Sequence, residues 1–387
     1  MAGAALLLCC PATLQAAEWS FDPVVSAAFG YSTNAALTTE PHDSVSSMSF
    51  TPVANIRRKT GTSEMNVELL ANVVNYLSTD IEDIDNEQAS LKSFIQTTER
   101  MRFGLDGIAR LDTLFESAVT GSGTGNVQDV DIGLATTKVR RNWYELQPSV
   151  VYATTERSSV AFSYRLTDVK FEDVGGTSLV DYQQHFLSGV YSYQLTDVND
   201  LQVVVQGSQF RPSSGIESDN VGLLGGVSHK FSPTLSSSIL AGVGKTTETL
   251  TDGSKADSNT FLLQAQATQQ SELSSLDALI SRDVQPSGIG RSTYTDQLRV
   301  YWDRKLANHR AFVFQSTVFR NKTLEGSDPL VDRFYAEAAA LIRWRLAPEW
   351  FGNAGYRYRY QKYDASPDSA ESNGVFLALV WATQRRY

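Results

Sequence analysis

From Ser20 to its last residue the chain alternates apolar and polar side chains one by one, and no long amphipathic helical pattern interrupts the rhythm. Such alternation dictates strands, because successive side chains of an extended backbone point to opposite faces. The segment Trp350–Gln361 shows it best. Trp350, Gly352, Ala354, Tyr356, Tyr358 and Tyr360 share one face, while Phe351, Asn353, Gly355, Arg357, Arg359 and Gln361 share the other. Phe334, Ala336, Ala338, Ala340, Ile342 and Trp344 likewise oppose Arg333, Tyr335, Glu337, Ala339, Leu341, Arg343 and Arg345. Met101–Arg110, Met65–Val74 and Leu201–Ser208 repeat the rule. Each segment has about ten residues, the length with which a tilted strand crosses the hydrocarbon layer of a bilayer.

The connections alternate too. Short turns fall near 59–63, 98–100, 154–158, 196–200, 232–234, 270–273, 305–309 and 347–349. Long polar loops fall near 33–44, 78–88, 113–138, 172–180, 211–220, 247–258, 284–296, 321–331 and 363–372. Eight short and nine long connections join eighteen strands and leave both termini on the short-turn side. Outer-membrane barrels show this asymmetry, whereas a soluble sandwich has no reason to gather its long loops at one end. The expected fold is all-β, a transmembrane up-and-down antiparallel β-barrel of about 18 strands. The chain is 42% hydrophobic with a mean hydropathy of -0.23, which suits a barrel whose alternate residues alone face lipid. No run of eighteen apolar residues occurs, so a helical span is excluded. Aromatics near strand ends, among them Trp19, Tyr31, Tyr144, Tyr164, Tyr193, Trp302, Trp344 and Trp350, suit interfacial girdles. The last strand leaves its facing open, because Val375, Leu377, Leu379 and Trp381 oppose a row that is also apolar (Phe376, Ala378, Val380, Ala382).

The first seventeen residues read as a secretory signal. An apolar run, Ala4–Leu8, leads through Cys9, Cys10 and Pro11 to a cleavage point after Ala16 or Ala17, although the usual basic flank is missing. A lipoprotein signal is the alternative, but Leu8 stands before Cys9 where a small residue is needed. The expected division is thus 1–17 signal peptide and 18–387 barrel. Both cysteines fall in the signal, so the mature barrel has neither a disulfide framework nor a thiol site.

The formal net charge of -10 argues against nucleic acid as a partner. On the strand register, the lumen wall carries Arg57, Lys92, Arg102, Arg110, Arg141, Arg165, Lys230, Arg299, Arg333, Arg343, Arg345, Arg357 and Arg359. Its acids are Glu68, Asp106, Glu145, Asp277, Asp303 and Glu337, so the wall is basic inside an acidic protein. One arginine on the lipid side at mid-bilayer would cost about 2–4 kcal/mol, and a one-residue slip would place many there. Most acid lies in the long loops, for instance Asp80, Glu82, Asp83, Asp85 and Glu87. Those loops are either simply solvated or hold divalent cations that bridge lipopolysaccharide phosphates. A basic lining favours anions, since low-dielectric walls focus the field of a bore. Arginines that pair with the acids, or that sit at the periplasmic rim, would weaken that preference.

Catalytic and metal motifs are weak. Gly242-Val243-Gly244-Lys245-Thr246 resembles the end of a phosphate loop, but position 239 is Ile and the segment ends a strand. The four histidines are scattered without ligand spacing, so neither cofactor nor metal is expected. His185, with Ser188 near it, is the one candidate for a barrel-wall lipid-modifying enzyme, and nothing pairs the two in the pattern.

Two stretches resemble a known group. Gly30-Tyr31-Ser32-Thr33-Asn34-Ala35-Ala36-Leu37 resembles the aromatic-x-x-Asn-x-x-Leu opening of barrels encoded with exopolysaccharide systems, the "beta-barrel porin 2" type. Ser281-Arg282-Asp283-Val284-Gln285-Pro286-Ser287-Gly288-Ile289-Gly290, with Asp296, resembles a late loop of the same group. The resemblance implies a component of exopolysaccharide export or a related porin in the bacterial outer membrane, and brings no catalytic residues. The expected function is a porin-like channel with a basic polar lumen serving exopolysaccharide export; the alternative is a general or nutrient-uptake porin. Expected partners are outer-membrane lipid and lipopolysaccharide, polysaccharide, and periplasmic export components. Loop 113–138 is the candidate to constrict the bore, and Trp143, Tyr301 and Tyr335 either stack on sugar rings or pack against neighbours.

Overall fold

The computed structural model describes residues 17–39, 42, 44–77, 83–114, 139–172, 174, 175, 177–307, 309–324 and 332–383. They form β1 (Glu18–Ser32), β2 (Val45–Lys59), β3 (Ser63–Leu77), β4 (Ile84–Thr98), β5 (Met101–Thr113) and β6 (Arg140–Ala153). β7 (Ser158–Glu172), β8 (Tyr182–Thr196), β9 (Asn199–Pro212), β10 (Glu217–Ser232), β11 (Leu235–Thr249) and β12 (Lys255–Gln270) follow. The last third is β13 (Ser274–Ser287), β14 (Arg291–Ala307), β15 (Arg310–Thr323), β16 (Arg333–Ala347), β17 (Trp350–Tyr363) and β18 (Ser369–Ala382). Each strand pairs antiparallel with its sequence neighbours, and β1 also pairs with β18, from Val24↔Ala382 to Ser32↔Gly374. This is the expected all-β closed barrel of eighteen strands. The signal assignment falls outside the described residues except for Ala17.

Alternation fixes the facing of every strand. Phe29, Met48, Leu69, Tyr144, Leu187, Val221, Phe261 and Leu377 are all exposed and all lie on the outward row of their strands. A closed cylinder with an apolar outer band satisfies its backbone internally while meeting hydrocarbon, which is the condition for spanning a bilayer with strands. The chain is therefore an outer-membrane barrel. β18 resolves its own ambiguity: Val375, Leu377 and Leu379 face out, whereas Val380 and Ala382 pack inward with Val24, Val53 and Phe351.

The strands run 13 to 17 residues, longer than the membrane requires. The sequence pattern puts loops at 211–220, 247–258 and 284–296; the structure instead continues the strands and turns at 213–216, 250–254 and 288–290. Above the hydrocarbon both faces of a hairpin meet water, so the apolar row vanishes from the sequence while the backbone ladder persists.

The wall is not uniform. At β10–β11 it folds sharply, and β10 comes within 8 Å (Cα–Cα) of β12, with which it is not paired. Glycine makes that bend possible: a Cβ on Gly226 would lie 1.9 Å from the Ile239 carbonyl oxygen, and one on Gly242 1.9 Å from that of Leu223. Inward residues beside the bend, Val204, Leu224 and Leu262, close into an apolar cluster. A second irregularity lies next to it. β12 and β13 stop pairing at Leu263↔Arg282, while β13 and β14 stay paired up to Ser287↔Arg291. The upper end of β13 thus parts from β12 while β14 stays laddered to β15 as far as Thr293↔Thr323, and the contacts of the hairpin tip show that it leans into the lumen.

Candidate functional site

The inner wall divides into two arcs. Running from β14 through the β18–β1 closure to β7, the inward row holds Arg299, Arg333, Arg343, Arg345, Arg357, Arg359, Arg57, Lys92, Arg102, Arg110, Arg141 and Arg165. Glu145 and Glu337 stand on the same row, as partners of Thr167 and Arg359. From β8 to β13 the described inward row contains no arginine; its charges are Lys230, Asp200, Glu248, Asp277 and Asp283.

These arginines differ in what they touch. Arg141 is buried and grips Asp112 through two hydrogen bonds, at 2.9 and 2.6 Å, while Arg110 lies 3.6 Å from the same carboxylate. Both guanidinium groups sit over the Trp143 ring. Arg57 pairs with Glu64 at 2.9 Å, near the short-turn rim, and Arg343 with Asp303 at 3.7 Å. Arg333, fully buried, donates to the Gln361 side-chain oxygen at 3.1 Å and covers the Phe319 ring. Arg102, Arg165, Arg299, Arg345 and Lys92 make no salt bridge among the described residues, although Arg165 lies within the electrostatic reach of Asp283. Arg102 stacks over Phe94 at 3.8 Å, Arg165 stacks over Phe186 at 4.9 Å, and Arg299 Nη1 is buried without a hydrogen-bond acceptor. Cations without a close carboxylate carry more of their field into the bore than the paired ones.

The first long connection folds inward and is locked there. Asn34 is buried and brackets Thr38, donating to its carbonyl at 2.7 Å and accepting from its N–H at 3.1 Å. Leu37 takes a left-handed conformation, φ 51, and enters a cluster with Phe319, Tyr335 and Ala370. Arg359 reaches across from β17 and donates to the carbonyls of Asn34 and Ala35 at 3.0 and 2.9 Å. The Asn34 and Leu37 of the opening motif are therefore a latch holding 33–39 against the wall. Below it lies a recess of about 80 Å³, lined by Ser47, Ser49, Asn72 and Arg357 among others, where small side chains on β1, β2 and β18 leave room.

The β13–β14 hairpin narrows the mouth from the other side. Its tip accepts a hydrogen bond at the Gly288 carbonyl from Val180 N–H, 2.7 Å, and Ile289 packs on a cluster that includes Phe171, Tyr182 and Phe210. Lower down, Gln206 of β9 donates to Asp283 at 3.4 Å, and Arg291 comes within 4.0 Å of Glu248 on β11. The hairpin lies over the arginine-free arc, so the remaining passage runs along the arginines.

Several expectations change. Tyr335 is no sugar platform: it is 1% exposed, stacks on Phe319 at 4.9 Å and donates its hydroxyl to Glu337 at 2.7 Å. Apolar clusters on the inner row mean that the lumen is not polar throughout. His185 faces outward and bonds the Tyr164 hydroxyl at 2.6 Å, whereas Ser188 is of opposite parity on the same strand and faces inward, so the two cannot act together. Gly242–Thr246 is mid-strand backbone in β11. Of loop 113–138, residues 115–138 lie outside the described set; its ends, Leu114 and Val139, are buried together. Asp112 and the Arg359 latch were not read from the sequence, and Asp283 entered only as part of the 281–290 motif, not as a lumen residue. Parity alone would have flagged Asp112 and Asp283 had their strands been extended upward.

The chain is similar to several solved structures. A BenF-like porin from Pseudomonas fluorescens Pf-5 is similar over 94% of this chain and 99% of its own, at 6% identity and TM-score 0.48. OccK2 (OpdF) of Pseudomonas aeruginosa, solved with glucuronate, is similar over 93% and 97%, at 9% identity and TM-score 0.47. OprD of Pseudomonas aeruginosa covers 94% and 95%, at 11% identity and TM-score 0.43. No family model and no curated protein matches the chain.

Proposed function

We propose that the protein is a passive outer-membrane channel that prefers anions and serves saccharide export, its cargo an acidic exopolysaccharide handed over by periplasmic export components. The observation that carries anion preference is the one-sided lining: all the arginines of the described inward rows, outside the hairpin itself, stand on the arc it leaves open, and among the described residues Arg102 and Arg299 make no salt bridge there. Cations along a narrow, low-dielectric bore raise the local concentration of anions. The recess with the Ser47 and Ser49 hydroxyls beside Arg357 supplies hydrogen-bond groups that suit a sugar acid. The resemblance of residues 30–37 and 281–290 to exopolysaccharide-associated barrels supports export as the direction.

A second function, uptake of small anionic nutrients, is favoured by the hairpin, since it folds inward over the β8–β13 arc, held there by the Gln206–Asp283 contact, and leaves less room for a polymer. Planar-bilayer recordings of the full-length mature barrel test the channel: a pore with anion-favouring reversal potentials is expected, and cation preference would refute it. Deleting the gene then separates the cargoes. Loss of secreted polysaccharide is expected for export, whereas unchanged secretion with slowed growth on an organic acid marks uptake.

A further inference from the structure

Charge also stands on the outer wall, where the sequence rhythm calls for lipid-facing apolar residues. Arg282 and Asp296 are register partners on β13 and β14, and Asp296 is in turn the partner of Arg320 on β15. All three lie on outward rows, level with Leu263 of β12 on one side and Phe334 of β16 on the other. Arg282 forks onto the Asp296 carboxylate, and Arg320 donates to Asp364 at 3.1 Å. Lys322, one step above Arg320 on its row, and Lys362, the partner of Phe334, have no ion-pair partner among the described residues. Four cations thus meet Asp296 and Asp364, with Glu371 of β18, hydrogen-bonded by Tyr358, a third outward carboxylate diagonal to Lys362.

The cluster borders a groove of about 460 Å³ floored by Leu263, Ile280, Leu298 and Val318. The groove lies at the seam where β12 and β13 stop pairing, on the long-loop half of the barrel. The cluster stands where the outward apolar row gives out, at headgroup height directly above the groove, where an excess of cations meets lipid phosphate. The shape asks for acyl chain below and phosphate above. A two-fold contact with a second copy centred here would set Lys322 and Lys362 against their own counterparts, which repel.

We infer that this groove docks a phosphorylated acyl glycolipid of the outer leaflet, of the lipid A type. An acyl chain lies along Leu263, Ile280, Leu298 and Val318, and the phosphates meet Lys322 and Lys362. The site depends only on the barrel, not on the cargo of its lumen.

Native mass spectrometry of the detergent-purified full barrel, titrated with bisphosphorylated hexa-acyl lipid A, tests it. Wild type is expected to retain the lipid, and dephosphorylated lipid A to bind much more weakly. A lysine near an anionic lipid surface contributes about fivefold, so the Lys322→Gln/Lys362→Gln variant is expected to bind about 30-fold more weakly. Lys170→Gln, on the outward row of β7, is expected to change nothing. Equal binding of the two lipids to wild type overturns the site without recourse to any variant. Undiminished binding by the double variant overturns it as well, and so does a changed oligomeric mass with lipid binding intact, which would identify a second copy as the occupant.

Discussion

The arc from β14 to β7 and the arc from β8 to β13 belong to one continuous sheet, yet they solve opposite problems. On the first, bulky guanidinium groups and their hydration keep the inner faces apart. On the second, glycines at 226 and 242 let backbones touch, and Val204, Leu224 and Leu262 fill the angle. The β13–β14 hairpin, parted from β12 alone, settles over that filled side. A barrel of this width thus gains an off-centre passage through a difference in side-chain bulk between its two halves. No plug domain is needed for it.

The sharpest way to break the contrast is to put bulk into the tight arc. Gly242→Val places side-chain carbon on a backbone carbonyl, a clash beyond the usual 1–3 kcal/mol of overpacking. Loss of the heat-modifiable folded band on electrophoresis is expected. Gly107→Ala on the open arc, whose nearest neighbour atom lies 3.7 Å away, is expected to fold normally. Next in size is charge reversal. Arg102→Glu/Arg165→Glu/Arg299→Glu is expected to turn the reversal potential from anion- to cation-favouring, a change of roughly tenfold or more in permeability ratio. Retained anion preference would show that the paired arginines suffice.

Arg359→Gln sharpens the distinction between structural and field-bearing arginines. Two carbonyls lose a charged donor, weakening the loop latch by about 2–3 kcal/mol. Faster proteolysis within 33–44 and noisier currents are expected, with ion selectivity unchanged. The smallest effect belongs to Tyr335→Phe, which removes one buried hydrogen bond to Glu337. A loss of about 1–2 kcal/mol in denaturant titration is expected, with conductance as in wild type.

What the sequence disclosed follows from which solvent each residue meets. Where one face touches lipid and the other water, parity placed Arg357 and Arg359 on one side and Tyr356 and Tyr358 on the other without reference to anything distant. That signal ends where lipid ends, so the upper strands around 284–296 looked like loop, and Asp283 and Arg282 were seen as motif residues without a facing. The opening motif was visible, but its meaning depends on Arg359, more than three hundred positions away, which no local pattern reports. The bend at Gly226 and Gly242 left only scattered glycines as a trace.

All but one of the inter-strand joints link strands adjacent in sequence; the exception brings Ser32 and Ser372, 340 positions apart, into hydroxyl contact. Hairpins can therefore accrete one after another with short loop closures, but the cylinder stays a ribbon until the ends meet. During that interval β1 and β18 both present unsatisfied peptide groups, inviting another chain to zip onto either. Whatever escorts this polypeptide to the membrane must shelter those two margins at once and release them together.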